Sequence, residues 1–261
     1  MTEPLVSLQM EGRLAWVRLN RPSRHNALTP DVVDSLRRAV ESIPPVTAAV
    51  VLCGAGRSFS TGGDISEIAR RTGPERVEYC DTLVTGLNAA ILSLWDLTLP
   101  TCAVVQGAVT GGALGLALAC DRMEAAEDTF VQPWYGQAGF APDGGWTAML
   151  PQRVGAGRTA DWISLNQRVD APDLHAVGLV AAVSPDPIAA ARVWAARVSE
   201  QAAATHHRTR RLIKTAHARN RLHLALEAER RAFLDLLREP SVDRWLDSLL
   251  TRLREERKAS A

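Results

Sequence analysis

The stretch Cys102-Ala103-Val104-Val105-Gln106-Gly107-Ala108-Val109-Thr110-Gly111-Gly112-Ala113-Leu114-Gly115-Leu116-Ala117-Leu118-Ala119-Cys120-Asp121 decides how this chain folds. No charged residue stands between Asp96 and Asp121, and the run is almost wholly small and apolar, so by composition it imitates a membrane span. Pro100, Gln106 and glycines 107, 111, 112 and 115 interrupt it too often for a continuous helix. The spacing instead predicts a buried strand over 102–106, a tight turn, and a buried helix over 111–120.

Outward from that stretch the same rhythm repeats. Residues 75–96 have the pattern of a long amphipathic helix, and Ala48 to Cys53 that of a short buried strand. The strand is followed by the glycine-containing loop Phe59 to Asp64 and a further helix. Residues 5–10 and 14–19, parted by Glu11-Gly12-Arg13, read as a hairpin. Thr29-Pro30-Asp31 is a cap with Pro at the first helical position, opening a helix that runs towards Pro44-Pro45. Recurrent strand, turn and helix is the rhythm of an α/β protein with crossover connections. From Pro185 the composition shifts to Ala, Arg, Leu and Glu with no strand signal, and Pro240 separates the last two helices. The expected organisation is an α/β core over residues 1–185 and a helical C-terminal oligomerisation arm over 186–261.

Composition narrows the function classes. The chain has 261 residues with 30 basic against 29 acidic side chains, a net charge of +1. It therefore lacks the long-range field that gathers nucleic acid or an anionic membrane, and small molecules are the expected partners. The four cysteines are far apart, with no C-x-x-C pair and no histidine at ligand spacing, which argues against zinc or redox chemistry. Met1-Thr2-Glu3-Pro4 has no basic region leading into an apolar one, so a cytoplasmic location is expected. Tryptophan, with seven residues, outnumbers phenylalanine and tyrosine in an otherwise aromatic-poor chain.

Two glycine loops carry the chemical signal. Phe59-Ser60-Thr61-Gly62-Gly63-Asp64-Ile65 and Gly107 to Gly115 each follow a buried strand and precede a helix. Each thus presents unpaired backbone N–H groups at a helix N-terminus, where negative charge is favoured. Neither has the lysine of a phosphate-binding Walker loop or the full G-x-G-x-x-G spacing. Tight packing explains either loop alone; together they suggest a two-donor oxyanion hole.

With Leu19-Asn20-Arg21-Pro22, Asn26-Ala27-Leu28, Pro142-Asp143-Gly144-Gly145 and Leu150-Pro151-Gln152-Arg153-Val154-Gly155, these loops resemble, in the same order, the crotonase (enoyl-CoA hydratase/isomerase) superfamily. The resemblance implies a spiral of ββα units, assembly as a homotrimer or dimer of trimers, and an acyl-CoA thioester as substrate. It requires no separate cofactor, coenzyme A being part of the substrate. It also implies that the amides of Gly63 and Gly112 bind the thioester oxygen. Arg24, Ala27, Leu28, Gly63, Asp64 and Ile65 would border the CoA. Arg24 is placed either to pair a CoA phosphate or to stand as a solvated surface arginine, and Asp64 suits a helix cap better than a reactant.

Departures from the hydratase pattern are equally informative. Where the resemblance implies two catalytic glutamates, this chain has Gly115 and Trp134, and neither can transfer a proton. Asp143 is the acidic candidate left in the region, and a double-bond shift needs a single carboxylate. Asp143 as the cap of a helix beginning near Gly144 is the bland alternative, as is Trp134 as plain pocket wall. A second branch, the 4-chlorobenzoyl-CoA dehalogenases, also has glycine at the first glutamate position and a tryptophan before a nucleophilic Asp. There Asp143 falls one residue late, and Asn88 stands where a histidine base is expected. Three readings follow: an isomerase using Asp143, a hydrolase or dehalogenase with Asp143 as nucleophile, and a non-catalytic CoA-binding or scaffolding subunit. Glu67 and Glu124 are further carboxylates that would permit residual hydratase activity.

Overall fold

The computed structural model describes residues 3–259, so residues 1, 2, 260 and 261 of the two expected segments lie outside it. Its strands are β1 (Val6–Glu11), β2 (Leu14–Leu19), β3 (Ala49–Gly54), β4 (Thr101–Val105), β5 (Ala108–Thr110), β6 (Arg122–Ala126), β7 (Phe130–Gln132), β8 (Val169–Asp170) and β9 (Ala182–Ser184). Its helices before residue 185 are α1 (Pro30–Glu41), α2 (Ile65–Ala69), α3 (Gly73–Asp96), α4 (Ala113–Leu118), α5 (Tyr135–Ala138), α6 (Leu150–Val154), α7 (Ala156–Ser164) and α8 (Ala171–Ala176). Helices α9 (Pro187–Ser199), α10 (Ala203–Ile213), α11 (Ala216–Leu237) and α12 (Val242–Ala259) follow.

Six strands form one sheet in the order β1-β2-β3-β4-β6-β9, antiparallel at the opening hairpin and parallel thereafter. The inner strands β3 and β4 are apolar apart from Thr101, because both faces of a parallel sheet are covered. One face is covered by α9, whose Ala191 packs with Trp16, Val51, Cys53, Cys102 and Val104. On the other lies the main core, to which α3 contributes Leu83, Val84, Leu87, Ile91 and Leu94, spaced to share one side of a helix. Thr29 caps α1 as expected, accepting a hydrogen bond from the Val32 amide.

The charge-free run resolves into β4, β5 and α4, and among the described residues no helix is long and apolar enough to cross a membrane. The turn expected over 107–110 contains a strand, β5, which belongs to a second sheet of order β5-β7-β8. Strand β7, like β5, is only three residues long, too short to show a periodicity. Successive strands therefore alternate between layers: β4 enters the large sheet and β5 the small one, then β6 the large and β7 the small. Single bridges extend the small layer, pairing Ser60 with Val109 and Leu28 with Gly63. Helices α11 and α12 are not set apart from this core. Leu222, Leu226, Phe233, Leu234, Val242, Leu246 and Leu249 join the same hydrophobic cluster.

Candidate active site

The small layer brings the two glycine loops together. Ser60 and Val109 are paired in parallel, with the Ser60 amide donating to the Ala108 carbonyl and the Thr110 amide to the Ser60 carbonyl. Gly63 and Gly112 each lie three residues beyond that pair, so the shared register carries them to the same end of the layer. Leu28 secures the first loop, its amide donating to the Gly62 carbonyl and its carbonyl accepting from the Asp64 amide. In such a parallel bridge the N–H of the central residue points away from the partner strand. Among the described residues neither the Gly63 nor the Gly112 amide has an acceptor.

Both glycines line a cavity of about 640 Å³. Arg24, Ala27, Asp64, Ile65, Trp134 and Asp143 line it as well, so eight of the nine residues singled out from sequence meet there. Leu28 does not. Its side chain is buried in the core, and its backbone, as described, holds the Gly63 loop. Asp64 caps α2 through the Glu67 amide and takes ion pairs from Arg21 at 2.8 Å and Arg24 at 3.2 Å. Burial works to raise the Asp64 pKa, but the two guanidinium groups outweigh it and hold the carboxyl below its ordinary value. Arg24 is thus neither free nor simply solvated; it is half-exposed, paired to Asp64, and at the cavity wall.

Asp143 sits differently. No helix starts at Gly144, and its side chain caps nothing; Oδ1 instead accepts a hydrogen bond of 2.7 Å from the Tyr135 hydroxyl. A Cβ built on Gly112 would lie 2.9 Å from that same oxygen, so the carboxyl packs directly against the second glycine loop. Burial raises the Asp143 pKa to about 7; the Tyr135 hydrogen bond opposes the rise and the charge of Glu229 adds to it. Near neutrality the group thus holds and releases a proton with similar ease, the condition suited to proton transfer.

Gly115 now has a physical explanation. A Cβ there would stand 1.7 Å from the carbonyl oxygen of Gly144, and one on Gly144, whose φ is +60°, would stand 2.5 Å from the Gly112 Cα. The segment carrying Asp143 occupies the space that a side chain at 115 would need. Trp134, at the other expected glutamate position, lines the cavity in a left-handed conformation at φ +65°, with its amide bound to Oδ1 of Asn166. Trp146 is fully buried and does not line the cavity. Its indole N–H donates to the Gly111 carbonyl at 2.7 Å and its ring meets Tyr135 edge-on at 6.0 Å.

Glu67 and Glu124 do not enter the site: Glu67 pairs with Arg70 and Arg71, and Glu124 is buried on β6 beside Arg122. Among the described residues the cavity's carboxylates are Asp64 and Asp143, and only Asp143 has no cationic partner. Asn88 faces α11, donating to the Leu226 carbonyl, and does not line the cavity. Sequence reasoning missed five contributing residues. Tyr135 binds Asp143; Phe233, Leu249 and Leu253 close the apolar end from α11 and α12; and Glu229 accepts from the Gly145, Thr147 and Ala148 amides and the Thr147 hydroxyl.

A spiral of two-layered strand units with two free glycine amides at one end of the small layer defines a class, and the comparisons name it. The enoyl-CoA hydratase/isomerase family matches residues 9–259. The chain belongs to that family, within the crotonase superfamily, and is an enzyme of that kind. It is 30% identical over 205 residues to 4-chlorobenzoyl coenzyme A dehalogenase-1 of an Arthrobacter species, covering 77% of this chain and 74% of the relative. The enoyl-CoA hydratase structure from Mycobacterium avium subsp. paratuberculosis K-10 superposes with a TM-score of 0.83 at 29% identity, covering 95% of this chain and 99% of that one. The enoyl-CoA hydratase from Bacillus halodurans has the same fold, with a TM-score of 0.86 at 20% identity over 94% of this chain and 99% of that one.

Proposed function

We propose that this enzyme shifts a carbon–carbon double bond within an acyl-CoA thioester. The thioester oxygen takes the amides of Gly63 and Gly112; Asp143 removes a proton from C2, and the electron pair moves into the carbonyl to give a dienolate. The same carboxyl then returns the proton to C4 while the C3–C4 double bond becomes a C2–C3 double bond. Preorganised donors favour this path because they meet negative charge only as it develops. The observation that carries the reading is the single unpaired carboxylate, Asp143, packed against Gly112 with its pKa near 7. Hydration by the usual pair of glutamates has no counterpart here.

The Asp143→Asn variant is expected to bind acyl-CoA as the wild type does and to lose on the order of a thousandfold of its turnover, since general acid–base catalysis contributes on the order of 10²–10⁴. Exchange of the substrate C2 or C4 proton with deuterated solvent, followed by NMR, checks it directly; full exchange by the variant excludes the proposal. The dehalogenase relative supports a second reading, attack by Asp143 on a halogen-bearing carbon of the acyl group, forming an aspartyl ester as halide leaves. Single turnover in heavy-oxygen water separates the two, because water attacking the carbonyl of the aspartyl ester leaves a protein oxygen in the first product. Asn88 weighs against it, since an amide tied to α11 cannot supply the base for hydrolysing that ester.

A further inference from the structure

We propose that Tyr135 is the positioning residue of this site: its hydroxyl fixes one oxygen of Asp143 and so leaves the other to exchange the substrate proton. This rests on the reading of Asp143 as the proton carrier. The Tyr135 hydroxyl lies 2.7 Å from Asp143 Oδ1 and 3.0 Å from the Asp143 backbone carbonyl, so it grips the residue at both ends. Oδ2 has no hydrogen-bond partner among the described residues and is not sealed from solvent. With Oδ1 tethered, rotation of the carboxyl is restricted and Oδ2 is the oxygen presented to the cavity.

The placement of the hydroxyl follows from the local backbone. Trp134 takes a left-handed conformation, its amide fixed by Asn166, and this turns the chain so that Tyr135 opens α5 pointing inward. The Trp146 ring then meets Tyr135 edge-on, and its own N–H is spent on Gly111. One buried cluster thereby ties the proton carrier to the second glycine loop. The titratable groups around Asp143 are Tyr135 on α5, Glu229 on α11 and Cys80 on α3. Tyr135 is held well above its ordinary pKa, first by burial and then by the Asp143 charge, so it stays a donor throughout the working range. Of the three, only Tyr135 hydrogen-bonds the carboxyl, and a donor favours its ionised form.

Tyr135→Phe should therefore raise the Asp143 midpoint. The acid limb of the kcat profile is expected to move up by about one unit, with kcat falling about fivefold at pH 7 and recovering at pH 9, and with KM within about twofold. A purely structural role lowers kcat equally at every pH and leaves the limb in place, which overturns the proposal. The carboxyl carbon resonance of Asp143 in aspartate-labelled enzyme, identified by its loss in Asp143→Asn, reads the same midpoint without turnover. An unmoved resonance in Tyr135→Phe overturns the positioning role, whereas an active Asp143→Asn overturns the functional reading instead. Should Tyr135→Phe fail to fold, the chain's two tyrosines offer a gentler change. In a Tyr79→Phe background, global replacement of tyrosine by 3-fluorotyrosine makes position 135 a stronger donor, and the limb should then move down; no movement counts against the proposal.

Discussion

Asp143 illustrates how a single buried carboxyl trades stability for reactivity. Its folded pKa of about 7 lies above the ordinary 3.8, so the native state binds the proton more tightly than the unfolded chain does. The contribution of this group is therefore fully present below pH about 4 and is lost as pH rises through about 7, with a limit of about 4 kcal/mol. Asp143→Asn removes the titration while keeping the shape. It is expected to be inactive yet to melt about 5 °C above the wild type at pH 8, with no gain at pH 4, corresponding to recovery of about 2 kcal/mol. Calorimetric melts at the two pH values check this, and an equal effect at both would show that charge burial is not the cause. Asp143 was legible in the sequence because the Pro-Asp-Gly-Gly segment is short and distinctive. Its tether was not: the Tyr135 hydroxyl reaches it only because Trp134 adopts a backbone conformation that residue type disfavours, and no local pattern announces that.

Among the elements, α11 carries the clearest contrast between expectation and structure. Sequence reads it as part of a charged arm, rich in Arg, Leu and Glu, with nothing to distinguish one glutamate from another. Glu229 is nevertheless buried, and it gathers three amides and a hydroxyl from residues 145–148, more than 80 positions earlier in the chain. Burial raises its pKa, and those four donors oppose the rise. Removing the carboxylate strands the amides at the start of the turn that follows Asp143. Glu229→Ala is expected to cost about 3 kcal/mol in urea unfolding and to lower kcat more than it raises KM. Glu227, two residues earlier and paired with Arg230 nearer the surface, serves as the comparison: Glu227→Ala should change stability by no more than about 1 kcal/mol. Equal losses in the two variants would deny Glu229 its anchoring role. Contacts of this kind depend on which side of a helix meets which loop, and helical periodicity alone does not specify the partner.

For the molecule as a whole, the alternating layers were only partly legible. The recurrent strand, turn and helix gave the class of fold, but the bridge between Ser60 and Val109, which aligns Gly63 with Gly112, joins segments about fifty residues apart through single hydrogen-bonded steps. Net charge was legible at once, and it makes a prediction about binding. At +1 the protein has almost no long-range field, so attraction of an anionic CoA ester must come from cations at the cavity itself. Among the described residues two arginines line it: Arg24 is already paired with Asp64, and Arg168 stacks 3.6 Å over Phe130 while pairing with the exposed Asp170. With one partner compensated by a buried carboxylate and the other in a solvent-screened pair, few charges are available to the ligand. The KM for acyl-CoA should therefore rise only about threefold between 0.05 and 0.5 M salt, because screening acts on a small local field. In Arg168→Ala that dependence should flatten, with kcat unchanged, since the side chain lies at the rim and away from Asp143. Initial-rate measurements over the salt series check both expectations; a tenfold or steeper rise that survives in Arg168→Ala would place the attracting charge elsewhere on the molecule.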